Sequence, residues 1–254
     1  MSSIFRKTLV CLIAVFALGA IAASAASAVT DPTTQQQFVE KNGKEVIKKG
    51  FTSKEGISTL SVPLAGTTVE CKADTDKGNI DAGWNESVEK VVVTFTGCKV
   101  KVTVEKVKQE CPINSIKEKV KAKEGEIVTV TLKGELGESA ESATGVVLLL
   151  EPASGIEFVT LAATGAPCKT IETKVNGQVA GEVTPLALGL TDKVVFENKI
   201  KVLERSFAKH CTGGVNCTED GEVKPKLEAF AFPATFASTD ENTFEEKVEV
   251  LPGA

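Results

Sequence analysis

The stretch VKVTVEKV, residues 100–107, alternates with a period of two. Val100, Val102, Val104 and Lys106 fall on one face of an extended chain, and Lys101, Thr103, Glu105 and Val107 on the other. Successive side chains of a strand point to opposite sides of the pleat, so this pattern predicts a half-buried strand. The same reading extends outward in both directions. ISTLSV (57–62), TTVECKA (67–73) and VEKVVVTF (88–95) alternate or run β-branched. VVLLLE (146–151) is apolar on both faces and is bounded by Gly145 and Pro152, which predicts a strand covered on both sides. Further strands are predicted at 126–132, 156–161, 170–175, 178–183, 193–196, 226–232 and 244–250. Turns are expected between them at DKGN (76–79), LKGE (132–135), PASG (152–155) and VNGQ (175–178). Only 35–49 is helix-permissive, and Gly43 interrupts it. Many short strands at close spacing predict an all-β fold, an antiparallel sandwich or barrel-like domain.

The N-terminus predicts the compartment. Arg6 and Lys7 precede an apolar run over 8–22, and small residues follow through AASAASA. This is the three-part pattern of a secretory signal peptide, with cleavage expected after Ala28. The apolar run is shorter than the roughly 20 residues of a membrane span. The expected organisation is a signal peptide over 1–28 and a single β-rich domain over 29–254, with 29–50 as an irregular or helical lead-in. The expected localisation is extracellular. Losing Arg6 and Lys7 leaves 27 Lys plus Arg against 34 Asp plus Glu, a net charge of −7. An acidic chain without a basic stripe is a poor partner for nucleic acid or an anionic membrane surface.

Cys11 leaves with the signal, so Cys71, Cys98, Cys111, Cys168, Cys211 and Cys217 remain. An even number of cysteines in a secreted chain reads as disulfides, and zinc is disfavoured because no two close CxxC-like pairs exist. Pairing neighbours gives Cys98–Cys111 and Cys211–Cys217, which leaves Cys71–Cys168.

GTTVEC (66–71), VVVTFTGC (91–98), GEIVTVTLKGELG (125–137), LLLEP (148–152) and NGQVAGEVTP (176–185) form a serial pattern. In order over about 51–196, it resembles a family of uncharacterised secreted β-rich proteins of soil actinobacteria. The resemblance implies a secreted β-rich chain and assigns no function or site. In that family a cysteine closely follows the strand matching 156–161, whereas here Cys168 comes later, after AATGAP.

Chemistry-bearing residues are sparse. His210 is the only histidine, beside Cys211 in HCTGGVNC (210–217), and reads as a residue of a stapled loop. No G-x-S-x-G elbow is present after the signal, and no cofactor is expected. DTDKGNID (74–81) offers Asp74, Asp76 and Asp81 as calcium ligands, but Gly78 and Asn85 stand where an EF-hand loop needs oxygen ligands. A turn without calcium is therefore the favoured reading. The chain has no Tyr, and Trp84 is its only Trp, a thin basis for stacking sugar rings. Asn85 and Asn216 open glycosylation acceptor triplets.

Two function classes follow. The first is a secreted non-enzymatic β protein, cell-surface-associated or binding a partner. The second is a secreted hydrolase with a carboxylate or calcium-dependent site. The shortage of His, Trp and Tyr favours the first, and a concave pocket with facing carboxylates would favour the second.

Overall fold

The computed structural model describes residues 37–40, 44–45, 49–54, 56–80, 87–104, 107–117, 120–138, 145–163, 168, 172–184, 191–198, 206–208, 220–222 and 225–251. The fold is all-β: an eight-stranded antiparallel barrel with extra strands. Eight long staves follow one another around it in chain order. The first comprises Gly50–Lys54 and Ser58–Val62, the second Thr67–Cys71 and Ala73–Ile80, and the third Ser87–Thr96 and Lys99–Val104. The fourth comprises Val107–Lys117 and Leu132–Glu138, and the fifth Val146–Pro152 and Glu157–Ala163. The sixth comprises Glu172–Gly177 and Val179–Thr184, and the seventh Thr191–Asn198 and Leu227–Ala229. The eighth is the unbroken strand Phe232–Leu251.

Each of the first seven staves is broken near its middle, so the barrel has two tiers, and each tier closes on itself. In the upper tier Phe236 pairs with Leu60, Val69 with Val100, Leu161 with Ser115 and Val175 with Ala229. In the lower tier Phe244 pairs with Phe51, Asp76 with Val93, Leu148 with Leu136 and Phe196 with Asp240. Full closure removes the unpaired edges that expose a sheet to aggregation. The breaks differ in content. The first and second staves keep one register through the break, from Gly50↔Asn79 to Ser58↔Cys71. The fourth stave instead carries an insert that folds back into the wall. Its Ile127 pairs with Phe95, its Thr129 N–H donates to the Val93 carbonyl, and its Val130 N–H donates to the Phe158 carbonyl. The break in the seventh stave includes the two-stranded sheet Ser206–Ala208 with Asp220–Glu222. His210, Cys211 and Cys217 fall in sequence within that break and lie outside the described residues, as do residues 1–28, Asp81, Trp84, Asn85 and Asn216.

Alternation is followed closely. Val100 and Val102 are buried while Lys101 and Thr103 are not. The outer face carries cross-strand charge pairs such as Lys99–Glu110, Lys133–Glu151 and Lys193–Glu241. Exposed pairs of this kind contribute about 1 kcal/mol or less each. The strand expected to be covered on both faces is so: Val146 and Val147 are both essentially inaccessible. At the lower end, Phe38 on the short strand Gln37–Glu40 packs on Phe244, which also meets Phe51, with ring centroids 5.9 and 5.4 Å apart. That strand and Lys44–Glu45 replace the helix-permissive reading of 35–49.

Two expected turns are strands. DKGN lies inside Ala73–Ile80 and LKGE inside Leu132–Glu138. Their glycines mark close packing, not chain reversal. A Cβ on Gly78 would stand 2.6 Å from the Phe51 ring and 2.8 Å from Val91, and one on Gly134 would stand 2.7 Å from Leu150. Gly181 makes the same kind of space for Phe196, whose ring would lie 2.6 Å from an added Cβ, with the Glu197 carbonyl oxygen at 3.0 Å. Gly181→Ala is therefore expected to destabilise the chain by about 2 kcal/mol through overpacking, read from a urea midpoint at unchanged slope.

Two of the predicted disulfides are corrected. Cys71 bonds Cys98, and Cys111 bonds Cys168. The ladder explains the first: Glu70 pairs with Lys99 and Ala73 with Thr96, which sets Cys71 opposite Cys98. Cys111 instead faces Val100, two residues from Cys98.

Candidate functional site

An eight-stranded barrel has an interior just wide enough to be filled by side chains or to hold one small ligand. Here it is incompletely filled. A cavity of about 110 Å³ lies where the tiers meet, and a smaller one of about 40 Å³ lies in the lower tier. Asp76, Leu150 and Phe196 line both and form the partition between them.

The lining is divided by stave. The third to seventh staves contribute apolar side chains, among them Val93, Phe95, Leu150, Phe158 and Phe196. Phe95 meets Phe236 of the eighth stave edge-to-face at 5.9 Å. The eighth, first and second staves present polar groups on the same inner face. The inward positions of the eighth run Phe236, Ser238, Asp240, Asn242, Phe244, so a polar centre is flanked by aromatic rings. Ser53 and Ser58 of the first stave and Asp74 of the second are buried beside them, and Asp76 is largely so.

Hydrogen bonds tie this polar arc together. The Ser58 hydroxyl donates to Asp74 Oδ2 at 2.5 Å, and the Ser238 hydroxyl donates to Asp240 Oδ2 at 3.1 Å. The Asp76 backbone N–H donates to Ser53 Oγ at 3.0 Å. Asp76 Oδ1 is buried with no hydrogen-bond partner among the described residues. Burial pushes the Asp76 carboxyl up from 3.8 to about 6; the Asp240 charge adds to this, while the Ser53 hydroxyl and the backbone contact with Ser53 draw it partly back. None of the described residues lining either cavity is Lys, Arg or His.

The calcium candidate stretch therefore has a different structure from the one expected. Asp74 and Asp76 are alternate inward residues of a strand, not ligands on a turn. Among the described residues, no group of three or more His, Cys, Asp or Glu side chains is arranged to hold a metal ion. Sequence reasoning placed no strand over 233–243, so it missed Ser238, Asp240 and Asn242. The signal was present in FASTDENTF (236–244), whose every second residue forms one face. Chemically, the arrangement is an apolar chamber with an acceptor-rich wall. No family model, curated protein or solved structure matches the chain.

Proposed function

We infer that the chain is a secreted, non-enzymatic binding protein that holds one small molecule inside its barrel. The cavity of about 110 Å³ at the junction of the tiers carries this reading. A cavity of about 150 Å³ lined by apolar side chains accommodates benzene, so the fitting ligand here has at most about six non-hydrogen atoms. The signal pattern of 1–28 and the two disulfides support an extracellular setting. The charged pairs on the outer face support a barrel whose wall faces water, since charge on a lipid-facing wall costs about 2–4 kcal/mol near the bilayer centre.

The hydrolase reading draws on the Asp76–Asp240 pair, whose charges interact across the polar arc. Among the described residues, the lining offers no His, Lys or Arg to orient a scissile group. Binding is the reading the geometry favours.

Cyclopentanol serves as a neutral probe of suitable size. Titration followed by methyl NMR is expected to move the resonances of Leu150, Val159 and Leu161 together with one dissociation constant. Val159→Phe fills the chamber and is expected to weaken that binding at least about tenfold while leaving the far-ultraviolet dichroism unchanged. Unmoved interior methyls in the parent chain would remove this reading.

A further inference from the structure

We propose that the larger cavity selects a small protonated amine, its ammonium group held by Asp76 and Asp240 and its apolar body seated against Leu150, Phe158 and Phe196. This rests on the interior-binding reading and specifies its ligand class.

The charge distribution around the chamber points to a cation. Asp76 and Asp240 line the same cavity, and each raises the cost of the other's ionisation. Among the described residues, the side-chain donors lining the larger cavity are hydroxyls, and Ser238 already donates to Asp240. Among the described residues, neither cavity is lined by a cationic side chain. A buried carboxylate oxygen is costly unless a donor meets it, and Asp76 Oδ1 meets none among the described residues. An ammonium group supplies three donors and one positive charge, and so satisfies both carboxylates at once. A neutral alcohol supplies one donor and no charge. A carboxylate ligand would bring a third negative charge into the chamber.

The rest of the lining fits a compact hydrocarbon body. Among the described residues, the third to seventh staves present only apolar side chains around the chamber apart from Thr129 of the insert, whose hydroxyl accepts the Val93 N–H at 3.0 Å. Selectivity among amines would then follow size, since the chamber admits a ring of five or six atoms and not a long chain.

The titratable groups facing Asp76 are Asp74 on its own stave and Asp240 on the eighth. Among the described residues no further titratable group lines the chamber, since Cys71 is in a disulfide. Asp76 is ionised at pH 7.5 and largely protonated at pH 5, given its value of about 6. A simple alkylamine keeps its proton across that range, so amine affinity falls on acidification and alcohol affinity does not.

The test compares cyclopentylamine, cyclopentanol and cyclopentanecarboxylate on the full chain by methyl NMR titration. Cyclopentylamine is expected to bind at least about tenfold tighter than cyclopentanol at pH 7.5, as a charge-assisted hydrogen bond provides, and the carboxylate is expected not to bind. The preference should shrink several-fold at pH 5. It should disappear in Asp76→Asn and weaken in Asp240→Asn, while cyclopentanol binding persists in both. Equal affinities for amine and alcohol in the parent chain would overturn the amine assignment and leave the interior site standing. Failure of all three probes would overturn both. If either variant does not fold, the pH arm on the parent chain decides alone.

Discussion

Replacing Cys111 and Cys168 together by alanine is expected to cost the chain about 4 kcal/mol of stability. The two cysteines are 57 residues apart in sequence. Closing a loop of that length removes about 4 kcal/mol of conformational entropy from the unfolded chain in the chain-entropy model. Both residues are also almost wholly buried, at 2% exposure each, so the alanines leave small voids that add to the loss. The bridge has a second consequence in the folded state. Cys111 belongs to the fourth stave, and Cys168 lies in the connection between the fifth and sixth, so the bond spans a neighbouring stave and fixes the connection to the wall. Urea unfolding of the double variant should show a lower midpoint with a dichroism spectrum still dominated by strand. The Cys71–Cys98 bridge, with a separation of 27, is worth slightly less in the same model, about 3.5 kcal/mol, and acts between residues already held opposite by the ladder. A loss below about 1 kcal/mol for Cys111→Ala/Cys168→Ala would show that the native geometry offsets the entropic gain. Peptide mapping without reductant distinguishes this connectivity from the neighbour pairing, since it should recover Cys71 linked to Cys98.

The disulfides also show what the sequence could and could not convey. Choosing among pairings needs register, and register is a non-local property. Cys98 and Cys111 are near in sequence and lie on adjacent staves, yet Cys111 stands opposite Val100 and Cys71 stands opposite Cys98. Alternation over 100–104 was enough to predict a half-buried strand, because the period reports on one strand alone, but the strand read through 107 ends at Val104, and Val107 opens the next strand and pairs back with it. Alternation did not separate a sandwich from a barrel, since closure depends on the eighth stave meeting the first, nearly the whole domain apart in sequence. Glycine was misread at Gly78 and Gly134 for a physical reason. Lack of a side chain suits a turn and also suits a crowded interior, and only the Phe51 and Leu150 side chains reveal which applies. The polar arc was hidden in the same way. Ser238, Asp240 and Asn242 resemble loop residues by composition, and their alternation with Thr239 and Glu241 gains meaning only once Phe236 and Phe244 are seen to share their face.

Asp76→Asn is expected to stabilise the protein above pH 6 and to change little below pH 4, with no ligand present. The folded chain holds the Asp76 carboxyl at about 6 against 3.8 for the group in its ordinary setting. A raised value means that the folded state binds the proton more tightly than the unfolded state does. The protonated form therefore contributes stability that is complete below about 3.8 and is lost as pH rises through about 6. A displacement of about two units corresponds to at most about 3 kcal/mol between the two ends of this window. Asparagine removes the ionisation while keeping the shape, and its amide supplies donors to a wall that carries the Asp240 carboxylate. The gain in melting temperature at pH 8 should be about 6–10 °C for a chain of this size, falling to near zero at pH 4. The parent curve alone does not isolate the effect, because Glu151 and Glu157 have lowered values and act in the opposite sense. Their contribution is present above their ordinary value and lost as pH falls, and it cancels in the difference between variant and parent. A difference that is flat from pH 4 to pH 8 would mean that Asp76 is not desolvated in the barrel, and the acceptor-rich wall would lose its central member.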